Sequence, residues 1–400
     1  MLSVEAARSR ILTAFQPLPA ETVPLPLGLG RVLADPLAAR TTQPPAAVSA
    51  MDGYAVRGAD VESLPASLTV IGEVAAGASF AESVGPGQAV RIFTGAPLPA
   101  GSDTIVIQED VERQGETIAL TQATQTGRYV RPRGLDFRAG EVALAAGRRL
   151  SARDLGLAAA MDHAWLPLHR RPRVAILATG DEVVLPGAPR GASQIVSSNA
   201  FSLSALVEAE GGIAVNLGIA PDRGDALQEL ARGAAGCDLL VTTGGASVGK
   251  HDLVRSALAE SGLALDFWKI AMRPGKPLLF GKLAETPLLG LPGNPVSTLV
   301  CGLIFLRPIL RRLQGLETAP RTVTAELGVD LPANDRREDY LRSRLEWSGG
   351  HQPKVFPFAR QDSSMLATLS AADALAVRPP HAPPAPAGAA IEVLLLNGGI

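Results

Sequence analysis

Between Arg173 and Arg312, short aliphatic runs alternate with longer stretches bounded by cap residues, and this alternation constrains the fold more than any other feature of the chain. Residues 174–178, 213–219, 239–242 and 288–291 read as buried strands, as do 265–270 and 278–280. Helices are predicted over 200–210, with Ser198 or Asn199 as cap and Gly211 as stop, and over 225–235, 253–261 and 296–313. Strands apolar throughout, separated by helices, predict a parallel sheet covered on both faces, a doubly wound α/β domain. In such open sheets ligands bind outside the carboxyl ends of the strands. The unusual loops of this chain fall there.

The loop after the first strand is Thr179-Gly180-Asp181-Glu182. Adjacent carboxylates leaving a strand are costly unless a metal or basic group sits near them, although a solvated turn has the same spelling. After the second strand, Asp222 stands where either a metal ligand or a helix N-cap would stand. After the third comes Thr242-Thr243-Gly244-Gly245-Ala246-Ser247-Val248-Gly249-Lys250-His251-Asp252, with three glycines running into a helix start. Backbone N–H groups in such a loop can cradle an anion. It is not a GxxxxGK loop followed by Ser or Thr, because His251 follows Lys250, and it is not GxGxxG. Asp252 can cap that helix or bind a metal. Pro292-Gly293-Asn294-Pro295 spells a helix start, with Asn294 as cap and proline in the first turn.

Between these loops, Lys269, Arg273 and Lys276 place three cations within eight positions, held by Pro274 and Gly275. The chain has only five lysines, and four of them lie between 250 and 282. An ammonium suits point contact with a phosphate or oxyanion. The glycine loop, the acids and the cations together point to a phosphate-bearing ligand with a divalent metal.

The rest of the chain divides around this domain. A helix over 4–15 precedes a Pro-rich extended stretch to Arg40, and helix returns at 152–161 behind the cap Ser151. These two helices are expected to pack together in a discontinuous helical and extended domain of residues 1–40 and 141–172. Residues 41–140 form an inserted β domain, with short strands at 68–71, 89–93 and 104–107. The α/β domain takes 173–318. Residues 319–400, with short strands and the Pro-rich turn 379–386, predict a small β barrel or sandwich.

Composition narrows the function. The chain is 46% hydrophobic and 4% aromatic with net charge −2, giving no argument for nucleic acid or an anionic membrane. The apolar run 300–306 ends at Arg307, short of membrane-spanning length, and the N-terminus, with Glu5, Arg8 and Arg10, is not a secretory signal. Cys237 and Cys301 lack CxxC spacing and read as small hydrophobes, which fits a reducing cytoplasm. The histidines form no HExxH pattern.

The β region carries its own motifs: MDGYAV around Asp52, the Thr94-Gly95-Ala96 turn inside RIFTGA, and RPRGLD from Arg131 to Asp136. With ATGDE, TTGGASVGKHD, RPGKP and LPGNPVS, in that order, the chain closely resembles the molybdopterin molybdenumtransferase family, the MoeA and gephyrin E-domain family, over essentially its whole length. The resemblance implies a four-domain subunit. A central doubly wound MoaB-like α/β domain would stand with an inserted β domain, an N-terminal helical/extended domain and a C-terminal β-barrel domain. It implies a cytoplasmic homodimer whose site is shared between subunits. The implied reaction converts adenylylated molybdopterin and molybdate to molybdenum cofactor and AMP, with Mg²⁺.

By matched position, Asp52, Thr94, Arg131 and Asp136 would act from the β domain. Glu182, Asp222, Asp252, Lys269 and Lys276 would act from the α/β domain, with Glu182, Asp222 and Asp252 on the metal. Gly244, Gly245, Ser247, Arg273, Pro292 and Asn294 would contact substrate. The chain departs from the family pattern at Lys250-His251, at Arg273 and at Ser197. Two other readings stand beside this one: a molybdopterin adenylyltransferase, whose lone α/β domain lacks the β regions, and a molybdopterin-binding scaffold with weakened catalysis.

Overall fold

The computed structural model describes residues 1–244, 263–347 and 352–396. Contacts divide the chain into two compact units, one of Met1–Glu21, Gly30–Ala34 and Leu168–Ile400, the other of Thr22–Leu29 and Asp35–Pro167. Helix α1 (Val4–Thr13) belongs to the first: Val4, Ala7 and Ile11 lie in one apolar cluster with Val174, Ile176 and Leu310. The helix expected over 152–161 lies in the other unit. An amphipathic stripe dictates that a face is buried, not against what.

The smaller unit is built on one six-stranded sheet: β1 (Gly53–Val56), β2 (Ser67–Val74), β3 (Gln88–Ile92), β4 (Thr104–Ile107), β5 (Val111–Gln114) and β6 (Thr117–Leu120), in the order β4-β1-β3-β2-β6-β5. Strand β1 is buried throughout, between β3 and β4. Helix α2 (Ala152–Ala160) opens with a capping box: Ser151 Oγ accepts from the Asp154 N–H at 3.4 Å, and the Asp154 carboxylate accepts from the Ser151 N–H at 2.8 Å. Ser151→Ala removes both the acceptor and the reciprocal contact at its hydroxyl. It should cost about 1 kcal/mol in a urea unfolding curve, and an unchanged midpoint would dismiss the box as a stabilising element.

In the larger unit the α/β sheet comprises β7 (Arg173–Thr179), β8 (Ile213–Ala220), β9 (Leu239–Thr243), β10 (Leu263–Trp268), β12 (Leu279–Leu283) and β13 (Thr286–Leu291), in the order β8-β7-β9-β13-β12-β10; the intervening β11 (Met272–Arg273) leaves this sheet and joins another. Pairing is parallel from β8 to β13, as predicted, but β12 and β10 run antiparallel, so the sheet is mixed. Along β7 the side chains alternate between two cores. Val174 and Ile176 face the cluster that holds α1, and Ala175 and Leu177 face Leu227 and Leu240 on the other side. Helix α3 (Asn199–Ala209) covers the first face and α4 (Gly224–Ala231) the second.

The helix expected over 296–313 is present in three parts: α5 (Pro295–Cys301), a π-helical turn (Gly302–Leu306) and α6 (Arg307–Leu313). The wider turn sits directly ahead of Pro308, which has no N–H to return to the preceding turn. The helix expected over 253–261 lies outside the described residues.

The C-terminal strands close on themselves. Strands β14 (Thr322–Leu327), β15 (Glu338–Glu346), β16 (Lys354–Pro357), β17 (Ala374–Arg378) and β18 (Ala390–Leu395) pair in the ring β15-β16-β14-β18-β17-β15. This is a five-stranded barrel around Ala325, Val355, Ala376 and Val393, with the short helix α7 (Leu366–Ser370) between β16 and β17. No helix among the described residues is long and apolar enough to cross a membrane.

Candidate functional site

The register of the smaller unit's sheet sets its polar group. Gly53 pairs with Ile92, so Asp52, just before β1, meets the turn that follows β3. Its Oδ1 accepts from both the Thr94 N–H and the Thr94 hydroxyl, each at 2.8 Å. The Thr94 N–H, then its hydroxyl, hold the Asp52 carboxyl below the usual range, with Arg91 adding a smaller pull. Asp52 is therefore an exposed, ionised carboxylate in a fixed orientation. Arg91 is itself fixed, lying 5.1 Å from the ring centres of both Tyr54 and Phe93 and donating to Gln108 Oε1 at 2.6 Å.

The other two residues expected here stand on the adjoining backbone. Val48 and Ser49 pair with Arg131 and Val130, while the Ser49 N–H and carbonyl bond to Ala96 and Gly95 at 2.9 Å. Arg131 and Asp136 line a cleft of about 620 Å³ together with Gln43, Pro44, Val48 and Gly95. Asp52, Thr94, Arg131 and Asp136 thus belong to three loops joined by hydrogen bonds, two of them in direct contact.

In the larger unit the loops after β7, β8, β9 and β13 meet at one sheet edge. Gly180 has φ +135°, and a Cβ there would lie 2.6 Å from the Glu182 carboxylate, which folds back over it. Asp181 Oδ1 accepts from the Asp222 N–H at 3.0 Å, tying the first loop to the second. Gly244 has φ +93° and stands so close to Thr179 that a Cβ would fall 2.6 Å from its carbonyl oxygen. Asn199 joins the third loop to the fourth: its Nδ2 donates to Thr243 Oγ1 at 2.9 Å and to the Gly293 carbonyl at 2.7 Å. The Thr298 hydroxyl bonds to the carbonyls of Pro292 and Asn294, the latter at 3.0 Å. Asn294 is the N-cap of α5, yet its side chain donates to Ser363 Oγ at 2.7 Å rather than to the helix.

In the sequence Asn199 reads only as a cap and Asp181 as one of a pair of adjacent carboxylates. Their partners lie 44, 94 and 41 residues away, so no local signal marks them.

Lys269 and Lys276 sit at the neck of the β10–β12 hairpin, where the Ile270 N–H donates to the Lys276 carbonyl at 3.1 Å. Lys269 has φ +91°, a conformation that costs a non-glycine residue on the order of 1–3 kcal/mol and collects at functional sites. Arg273 is engaged elsewhere, its guanidinium donating to Asp339 and lying 3.4 Å from Asp335, both in the C-terminal part of the chain. Gly245, Ser247, Lys250, His251 and Asp252 lie outside the described residues.

Among the described residues no three His, Cys, Asp or Glu side chains gather as a metal cage. Glu182 and Asp222 nevertheless follow the neighbouring parallel strands β7 and β8 and are both exposed. Magnesium commonly takes only one or two protein carboxylates and fills its shell with water and substrate phosphates. The donors present fit that ion.

Three family models match the chain: the MoeA N-terminal region (domain I and II) over residues 2–161, the probable molybdopterin binding domain over 175–312, and the MoeA C-terminal region (domain IV) over 324–396. A molybdopterin molybdenumtransferase of Nostoc sp. is 37% identical over 369 residues, covering 90% of this chain and 85% of that protein. Molybdopterin molybdenumtransferase 2 of Mycobacterium tuberculosis is 35% identical over 385 residues, covering 93% of this chain and 94% of its own. The crystal structure of the molybdopterin biosynthesis MoeA protein from Pyrococcus horikosii matches with a TM-score of 0.86 at 30% identity, covering 100% of both chains. On matched length and identity, the chain belongs to the molybdopterin molybdenumtransferase family.

Proposed function

We propose that this protein inserts molybdenum into molybdopterin, using molybdate and adenylylated molybdopterin and releasing AMP. The observation that carries the reading is that four strand-end loops and a two-lysine hairpin lie at the same end of one sheet. Backbone N–H groups and the ammonium groups of Lys269 and Lys276 suit a pyrophosphate and an oxyanion. Glu182 and Asp222 would hold Mg²⁺, with Asp252 as a third ligand, and that ion supplies charge neutralisation at the phosphates. The Gly244 and Gly293 turns leave room for a ligand to approach the backbone closely.

In this reading the active form is a cytoplasmic homodimer, and Asp52, Thr94, Arg131 and Asp136 of a second copy complete the site. The ionised Asp52 would orient the reacting oxygens while the cationic hairpin holds the leaving phosphate. The retained acids and lysines favour an enzyme over a scaffold, and the β unit with its Asp52–Thr94 pair favours this reaction over adenylyl transfer. The test supplies purified protein with adenylylated molybdopterin, molybdate and Mg²⁺ and follows AMP. Release that requires both molybdate and Mg²⁺ is expected, and folded protein that releases none would end the proposal.

A further inference from the structure

The cationic hairpin is held from two ends. At its neck the Lys269 N–H donates to the Leu278 carbonyl at 3.2 Å, and Gly275, with φ +113°, lies so near Cys301 that a Cβ would fall 2.4 Å from the sulfur. Its tip leaves the α/β sheet altogether. As β11 it runs parallel to the start of β15, with Met272 opposite Glu338 and Arg273 opposite Asp339, and the Glu338 N–H donates to the Ala271 carbonyl at 2.9 Å. The barrel therefore takes the hairpin tip as an added strand.

Side chains reinforce the join. Arg273 donates to the Asp339 carboxylate, with Asn334 Oδ1 at 3.3 Å and Asp335 at 3.4 Å. These acceptors are anchored in turn. Asp335 accepts from the Arg337 N–H and guanidinium, both at 2.8 Å, and Asn334 Nδ2 donates to the carbonyls of Arg337, Arg378 and Pro379. Asp339 is the costly member. Its side chain is 5% exposed, and Oδ1 is buried without a hydrogen bond. Burial pushes its pKa up against the pull of Arg273. A buried carboxylate is tolerated where a partner holds it.

We propose that the C-terminal barrel is a positioning device for the cationic hairpin: by gripping Arg273, Asp339 and Asp335 set where Lys269 and Lys276 stand at the sheet edge. The inference rests on the reading of those lysines as the anion-binding pair. It makes a prediction whose sign opposes simple electrostatics. Deleting a negative charge beside a cationic site should tighten anion binding and free Arg273 to help. If Asp339 acts by position, its loss weakens anion binding instead.

The experiment compares full-length wild type, Asp339→Asn and Val393→Ala by calorimetric titration with inorganic pyrophosphate and by amide hydrogen exchange. The asparagine substitution keeps the volume and removes the charge, and the Arg273 side chain is 46% exposed, so the cation, left with Asp335 and Asn334, stays solvated and the fold is retained. Asp339→Asn should bind pyrophosphate roughly tenfold more weakly, with faster exchange at the amides of residues 270–273. Val393→Ala, in the barrel core, should lower thermal stability and move neither readout. Unchanged or tighter binding by Asp339→Asn overturns the proposal, as does unchanged hairpin exchange. An equal loss of affinity in Val393→Ala overturns it too, because general loosening would then suffice. A wild type that binds no pyrophosphate removes the anion-site reading instead, and hairpin exchange then decides the clamp alone.

Discussion

Asp52→Asn is expected to cut AMP release by roughly a hundredfold and to leave thermal unfolding almost unmoved. The reason lies in how little else changes. Both Thr94 donors point at a single oxygen, Oδ1, and an asparagine carbonyl oxygen can take its place. Asp52 is exposed, so no buried group loses a partner. What disappears is the charge, which the Thr94 N–H, the Thr94 hydroxyl and Arg91 together hold ionised below the ordinary carboxylate range. Wild-type turnover should accordingly keep its Asp52-dependent step as the pH falls from neutrality to about 4, the ordinary aspartate value, and lose it only below. Single-turnover AMP release with both proteins at matched concentration measures the loss. A rate within about twofold of wild type would remove Asp52 from the chemistry and leave it as a turn-former for Thr94.

The parts of the molecule that the sequence displays are those decided locally. Strands β7 and β9 are apolar over most of their buried length, with only the terminal threonines Thr179, Thr242 and Thr243 polar, and helix α2 begins at a Ser–x–x–Asp box, so both kinds of element are written within a few residues. The placement of the acids and glycines at strand ends follows from those same boundaries. Other features depend on partners far along the chain. Closure of the barrel requires β15 to pair with β16 and β17 through different stretches of its length, which alternation alone does not specify. The antiparallel edge of the α/β sheet follows from the short connection over residues 269–278, which returns β12 alongside β10 where a wholly parallel sheet is the expectation from the strand and helix alternation.

Arg273 shows the difference most clearly. Within RPGKP it reads as one more cation for an anionic ligand, but its carboxylate partner is 66 residues away in another domain. Local composition gives the charge; only the fold decides which charge meets it. Asn199 belongs to the same class. As a residue at a helix start it looks like a cap, and in the structure its amide instead holds Thr243 and Gly293 together.

Gly244→Ala should be the most damaging single change at the sheet edge, and its contrast with Gly293→Ala is what makes it diagnostic. At Gly244 the backbone has φ +93°, which an L-residue adopts only under strain. The added carbon would also lie 2.6 Å from the Thr179 carbonyl oxygen and 2.9 Å from its hydroxyl. Thr179 ends β7, the strand between β8 and β9, so it cannot retreat without breaking the ladder. Strain and overlap together should cost about 3 kcal/mol of stability. The loops after β7 and β9 would be pushed apart, and displacement of ligand-holding loops by even about 1 Å lowers turnover by about a hundredfold. Gly293 neighbours Gly244, yet a Cβ there would meet only the Gly244 Cα at 3.5 Å, an ordinary contact. Gly293→Ala should therefore change stability by less than about 1 kcal/mol. Thermal unfolding and AMP release on the two variants separate the cases. Equal tolerance at both positions would mean that the close approach of Gly244 to Thr179 is not what holds the site, and equal loss at both would mean that the ligand itself needs the bare backbone at Gly293.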